Sequence, residues 1–253
     1  MKYIFVVFIL LFTLSGCSTR KEIVYFQDPQ DIDHMKDLME FEPTIEVNDV
    51  LNVNVSSIDD EVVKPFQKNS GNQQQIGGGQ QNPTLRGYLV DIKGDIQFPV
   101  LGKIHVAGKT RSELEAFLTK KIKAYVTDAV VEVRLLNFKV TVLGEVGSPG
   151  VIDVEDGRIS FPELIARAGD VKYTGKRQNI VVIREKEGEK TIGYVDLTSS
   201  DVFKNPFYYL KQNDIVYVEP TYKQVKTAGF ITSYTGLLSL GTTILSLIIL
   251  FTR

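Results

Sequence analysis

Apolar and polar residues first fall into step over residues 43–59. Leu51, Val53 and Val55 alternate with Asn52, Asn54 and Ser56, the period-two pattern of a half-buried strand. Asn48-Asp49 ahead of it is a turn signal. Short β segments are expected at 88–91, 96–100 and 104–106, the first two joined by a hairpin turn at Lys93-Gly94. The period then changes. Thr110 and Glu113 have capping-box spacing, and Leu114, Phe117, Leu118, Ile122 and Tyr125 recur at helical intervals, so one helix face should pack on the sheet. Lys120, Lys121 and Lys123 load the C-terminal end of that helix, where its dipole favours cations. A strand over 129–136 closes the unit.

A second unit begins at Phe138. Val140, Val142 and Val146 mark a strand punctuated by Gly144, Gly147 and Gly150, and Ser148-Pro149-Gly150 is a turn into a return strand at 151–154. Ser160 and Glu163 repeat the capping-box spacing, and Leu164, Ile165 and Ala168 continue a helix that Gly169 stops. An apolar run at 179–184 and a segment at 191–197 flank a charged hairpin tip at 185–190. Segments 208–210 and 215–218 complete the sheet. The order β-β-α-β-β-β predicts a small α+β domain.

Two stretches carry neither period. Residues 69–83, NSGNQQQIGGGQQNP, lack the apolar surface to order themselves and read as a mobile insertion on the surface or in a lumen. Their glycines are no phosphate loop, since no Lys-Ser/Thr closes them. Residues 18–42 are polar and acidic, with Tyr25, Phe26 and a Met35/Leu38/Met39 cluster, and read as an extended tether with room for one helical turn.

Both ends of the sequence are apolar. Residues 229–251 hold no charge and no proline. As a helix they would span about 35 Å, enough to cross a hydrocarbon layer of ~30 Å. Thr232, Thr235, Ser239, Thr242, Thr243 and Ser246 recur three and four residues apart along one side of that helix. One reading is a single-pass anchor whose hydroxyls bond back to its own carbonyls. The other is one stave of an assembly, with these six residues as a pore-lining or helix–helix face. At the other end, Lys2, an apolar run at 3–14 and Leu14-Ser15-Gly16-Cys17 resemble a bacterial lipobox, which makes 1–16 a signal peptide and Cys17 the lipidated residue. Acyl chains at ~0.8 kcal/mol per buried CH₂ would hold Cys17 to a membrane. Ser18 is not the Asp that marks inner-membrane retention in lipoproteins, so the resemblance points to the outer membrane.

The 253 residues suit two modest domains, and a net charge of −2 gives no electrostatic case for nucleic acid. One cysteine excludes an intrachain disulfide and a thiolate zinc site. With two histidines and a lipidated cysteine, no Ser/His/Asp or Cys/His set can be assembled. His34 reads as solvated and His105 as a surface strand residue. Carboxylates are plentiful, but nothing singles out a pair of glycosidase type. The expectation is therefore no enzyme, no metal and no cofactor.

In order along the chain, the segments NDVL (48–51), GDIQFPVLG (94–102), AGKTRSEL (107–114) and 130–135 are similar to the polysaccharide export domain of the outer-membrane polysaccharide export lipoproteins, the Wza-like family. FKVTVLGEVGSP (138–149), LIARAGD (164–170) and NDIVYVEP (213–220) resemble the soluble-ligand-binding β-grasp (SLBB) domain that follows it. The resemblance implies an α+β chain with an export domain at 43–136, one SLBB domain at 137–220 and a C-terminal transmembrane helix at 229–251. It implies a homo-oligomeric ring, octameric in the best-known member, whose helices wall a pore for capsular or exopolysaccharide. Lipidation at Cys17 would hold the ring in the outer membrane with its soluble domains in the periplasm. A single SLBB unit predicts a short vessel that depends on an inner-membrane partner of the co-polymerase or tyrosine-kinase type. The alternative is a monomeric, membrane-tethered carbohydrate-binding or scaffold lipoprotein.

Overall fold

The structure, a computed structural model, describes residues 20–28, 41–68, 87–186 and 188–221, and positions 238, 239, 241–243, 246 and 250 of the C-terminal stretch. Cys17 with its leader, His34, the Met35/Leu38/Met39 cluster and the 69–83 insertion lie outside the described residues, as do Thr232 and Thr235.

The first unit is built on β1 (Val50–Ser56), with Leu51, Val53 and Val55 buried and Asn52, Asn54 and Ser56 facing water. After the short helix α1 (Asp60–Val63) come β2 (Tyr88–Leu89), the hairpin β3 (Asp95–Phe98) and β4 (Gly102–His105), the helix α2 (Arg111–Ile122) and β5 (Val130–Leu135). The sheet order is β2-β1-β5, and β5 runs antiparallel along all of β1 from Leu51↔Leu135 to Ser56↔Val130. The chain turns at Asp91–Gly94 (Gly94 φ 79), where the Asp91 carboxylate accepts from the Lys93 and Asp95 amides, but β2 pairs with β1 and β3 with β4, so the expected ladder between 88–91 and 96–100 does not form. Both halves of the Thr110/Glu113 capping box form. Leu114, Leu118 and Ile122 are fully buried, at ~1.5–3 kcal/mol each. Tyr125, expected on the same face, lies past the helix end and is exposed. β2 and β3 are shorter than expected, and β4 runs over 102–105 against the expected 104–106. β2 has only two residues, and β3 stops at Phe98 because Pro99 and Val100 (φ 64) form the turn.

The second unit runs β6 (Lys139–Gly144), β7 (Gly150–Asp153), α3 (Phe161–Arg167), β8 (Ile180–Lys186), β9 (Glu189–Val195) and β10 (Ile215–Val218), in sheet order β7-β6-β10-β8-β9. β6 and β10 are parallel, and every other neighbouring pair is antiparallel. The expected strand at 208–210 does not form. Tyr209 makes one isolated bridge to Ser160, with the Phe161 amide on the Tyr208 carbonyl and the Leu210 amide on the Ile159 carbonyl, and the pairing goes no further. Only half of the second capping box is made. Ser160 caps the Glu163 amide, while the Glu163 carboxylate turns forward to Arg167 at 2.7 Å.

Each unit has its own core, one gathered around Leu51, Phe98, Leu114 and Leu118, the other around Val142, Phe161, Leu164 and Leu210. Leu135, at the end of β5, packs against both. The described positions of the C-terminal stretch are helical. Among the described residues no helix is long and apolar enough to cross a membrane, so the expected helix over 229–251 finds no support in the fold, most of that stretch lying outside what is described.

Candidate functional site

Three places hold the residues that could serve a function. The first is the junction between the two units. Asn137, in the short link from β5 to β6, accepts from the Val50 amide (2.8 Å) and donates to the Asn48 carbonyl (3.0 Å), tying the link to the start of β1. Phe41 stacks on Tyr209 with centroids 4.5 Å apart and planes 5° from parallel. The Arg158 guanidinium lies 5.5 Å from the Tyr209 centroid and donates to the Phe41 carbonyl. Lys211 reaches Glu46 at 3.5 Å.

These contacts frame a cleft of 520 Å³. Three ion pairs stand at its walls, Arg111 with Glu42 at 3.4 Å, Arg134 with Glu132 at 2.6 Å, and Asp156 with Arg167, just outside the lining, at 3.8 Å, while Glu155 and Arg158 also line it. The lining thus carries charges of both signs. Asp49 borders it with only 2% of its surface exposed. Its Oδ2 accepts from the Glu46 amide at 2.8 Å, and its Oδ1 has no hydrogen-bond partner among the described residues. Burial raises the Asp49 carboxyl to about 6, and the nearby Glu46 charge adds to this while the Glu46 amide opposes it.

The second place is the end of the SLBB-like sheet remote from the junction. β6 and β10 both start at the junction and run side by side to this end. Gly144 (φ 91) allows their close approach, because a Cβ there would sit 2.0 Å from the Val218 carbonyl. Beyond it the Gly147 and Ser148 amides donate to the Asp170 and Ala168 carbonyls, so the VLGEVGSP and LIARAGD segments meet backbone to backbone. A loop at 170–177 follows. Arg177, 4% exposed, holds it together by donating to the carbonyls of Val171 (2.6 Å), Lys172 (3.2 Å) and Gly175 (3.4 Å).

Within the expected 18–42 tether, residues 25–28 pack on the second unit, Tyr25 against this loop and Phe26 to Asp28 against residues 197–203, while residues 29–40 lie outside the described residues. A 3-10 turn at Arg20–Glu22 leads to Tyr25, whose hydroxyl donates to Asp170 and whose ring lies 5.5 Å from the Arg177 guanidinium. Burial and the Asp170 carboxylate raise the Tyr25 hydroxyl above its usual range. Phe26 and Gln27 donate backbone bonds to the Leu197 and Thr198 carbonyls, Phe26 packs on Phe203, and Asp28 accepts from the Ser200 amide at 2.8 Å. Two aromatics in a polar stretch were the sequence signal for this strap. Nothing local announced Arg177 or Asp170 as its receiving surface.

The third place is the hydroxyl stripe, of which Ser239, Thr242, Thr243 and Ser246 are described. Thr242 and Thr243 donate to the Ser239 carbonyl at 2.9 and 2.7 Å, and Ser246 to the Thr243 carbonyl at 2.9 Å. The Thr242, Thr243 and Ser246 hydroxyls are each satisfied one turn back in their own helix. His105, on β4, bonds through Nδ1 to Asp95 at 2.9 Å and is exposed. Among the described residues no group of three or more His, Cys, Asp or Glu side chains is placed to hold a metal.

Comparison with known proteins gives two adjoining matches. Residues 40–136 match the polysaccharide biosynthesis/export protein family, and residues 138–218 match the SLBB domain. The EPS I polysaccharide export outer membrane protein EpsA of Ralstonia solanacearum is 34% identical over 165 residues, covering 63% of this chain and 43% of the relative. Its namesake from Ralstonia nicotianae is 40% identical over 95 residues, 36% of this chain and 25% of the relative. The chain thus aligns with less than half the length of either curated relative.

Proposed function

We propose that the chain is a member of the polysaccharide biosynthesis/export family, whose model it matches over residues 40–136, and an outer-membrane translocon subunit that assembles into a ring through which capsular or exopolysaccharide leaves the cell. The observation that carries this is the unbroken pair of matches over 40–218, in the order of export domain then SLBB domain. The relatives are named as export proteins of the outer membrane, and the family is one of transport components, so no catalytic step is assigned.

Self-association has support in the open face of the second sheet. In the first sheet the solvent face is polar, with Asn52, Asn54, Glu132 and Arg134 in line. In the second, Val151, Thr141, Ile215, Ile183 and Ile192 form one row across all five strands, and Leu143, Tyr217, Val181 and Tyr194 form the next. Val151, Leu143, Tyr217, Ile192 and Tyr194 are all exposed. A sheet apolar on both faces is one built to be covered, and a patch of this kind marks an interaction surface. A second copy of the chain is the partner a ring requires.

Cys17 would supply the lipid anchor and residues 229–251 a helix through the outer membrane, with the 43–136 and 137–220 domains in the periplasm. Hydroxyls already bonded to their own carbonyls let that helix face lipid, a neighbour or the polymer path. The subunit number, eight by resemblance, and an inner-membrane co-polymerase or tyrosine-kinase-type partner belong to the same reading. The junction cleft favours one alternative, a monomeric tethered carbohydrate-binding or scaffold lipoprotein. The mass of the full-length protein in mild detergent separates the two: a ring is expected, and a monomer would sink the channel. Ile244→Asp should abolish polymer secretion, whereas normal secretion by a chain cut before Gly229 would count against a helix-walled pore.

A further inference from the structure

The described segments nearest the two apolar ends of the sequence are anchored at one place. Tyr25, eight residues after Cys17, is held by Asp170 and Arg177. Thr221, eight residues before Gly229, donates to the Thr174 carbonyl at 2.7 Å, and Pro220 bridges Gly175. At ~3.5 Å per residue, Cys17 and Gly229 each lie within about 30 Å of the 170–177 loop. The direction of the sheet fixes the opposite end. β6 and β10 run from the junction to this loop, about 20 Å at ~3.3 Å per residue over the six residues of β6. In the first unit β5 runs toward the junction, so Tyr125 and Ile58, beside its start, lie at the far end.

The loop itself has the chemistry of a lipid-water boundary. Tyr173 is 83% exposed, a large amphipathic ring 6.0 Å from the guanidinium of Arg177, which holds the loop together. Lys172 beside it is exposed, and Lys176 is tied to Glu219 at 2.6 Å.

We propose that the 170–177 loop is the surface on which the protein rests against a phospholipid membrane, with Tyr173 in the headgroup layer and Lys172 beside the phosphates. This rests on the reading of Cys17 and residues 229–251 as membrane attachments. It orients the molecule with the SLBB domain against the membrane and the export domain pointing away. The 20–28 strap holds the lipid-bearing end at that surface.

The chain contains no tryptophan, so Tyr173→Trp introduces a single fluorescent reporter at an exposed site. Tyr125→Trp, at the opposite end, is the control. The full-length lipidated variants are reconstituted into phosphatidylethanolamine/phosphatidylglycerol vesicles, with and without lipids brominated high on the acyl chain. Brominated lipid should quench the indole emission of the Tyr173→Trp variant strongly and leave that of the Tyr125→Trp variant unchanged. Equal emission of the Tyr173→Trp variant in the two vesicle types, with the protein still floating with the vesicles, overturns the loop assignment and leaves the export reading standing. Quenching of the Tyr125→Trp variant in place of the Tyr173→Trp variant reverses the orientation and also overturns it. Failure of the full chain to float at all overturns both the loop assignment and the membrane attachments beneath it.

Discussion

Arg184 and Asp214 are joined by a two-pronged ion pair, Nη2 to Oδ2 at 2.7 Å and Nε to Oδ1 at 3.0 Å, with the Asp214 side chain entirely buried. The pair locks β8 to the entry of β10. Its remaining capacity is also spent. Asp214 accepts from the Lys211 amide, and Arg184 donates to the Tyr209 carbonyl and lies 4.7 Å from the Phe207 ring centroid. Removing the carboxylate would strand a largely buried guanidinium. Asp214→Ala should cost about 3–5 kcal/mol, read as a lower urea midpoint at unchanged slope for the full-length protein in detergent. A loss under ~1 kcal/mol would mean that Arg184 finds water or another partner.

Asp49 makes stability depend on pH in the direction opposite to most carboxylates. Its folded value is raised to about 6 from a reference of 3.8. The folded state therefore holds the proton more tightly. That contribution is complete below about pH 4 and disappears as pH rises through about 6. At ~1.4 kcal/mol per unit, it amounts to at most about 3 kcal/mol. Asp49→Asn keeps the acceptor for the Glu46 amide and carries no charge. It should raise the melting temperature at pH 7 and make no difference near pH 4. Parallel melting curves for the two proteins across that range would refute the assignment.

The docked strap is testable at its first anchor. Tyr25→Phe deletes the hydroxyl that donates to Asp170 and leaves the ring over Arg177. The loss should be about 1 kcal/mol, expressed locally. Trypsin should cut after Lys21 several-fold faster, while the melting temperature of the body is unchanged. Equal cleavage rates would show that the backbone bonds of Phe26 and Gln27 hold the segment unaided.

The open apolar face makes a prediction about assembly. Ile192 is 57% exposed on the edge strand β9, so Ile192→Asp removes little packing inside the chain. Its effect on subunit stability should stay within about 0.5 kcal/mol. Its effect on the particle mass in detergent should be large, shifting rings toward single chains. An unchanged mass would place the subunit contact elsewhere.

What was legible in the sequence was what local physics decides. The alternation through β1 and the Thr110/Glu113 box each depend on residues within one element, and both form as read. The strand expected at 208–210 shows the limit of that logic. Tyr-Tyr-Leu has the composition of a strand, but Tyr209 stacks on Phe41, 168 positions earlier in the numbering, and Leu210 fills the core. The strap failed to show for the same reason. Tyr25 meets Asp170 across 145 residues, and neither side chain carries a periodic signal of its own. The receiving loop owes its shape to Arg177, an ordinary surface cation in the sequence and an almost fully buried one in the fold.

The parallel neighbours β6 and β10 have a mechanical consequence. β6 begins where the export unit is joined, and β10 ends beside the loop at which the described segments nearest both apolar ends are anchored. Tension applied between the two ends of this sheet is carried lengthwise along these two strands. Their rungs of hydrogen bonds must then slip together in shear, whereas the β9 edge could peel open one rung at a time. Force spectroscopy with handles at Thr44 and Thr221 should accordingly record a higher rupture force than handles on β8 and β9. The arrangement of strands that looks like mere topology is then what keeps the loop end from tearing off the rest.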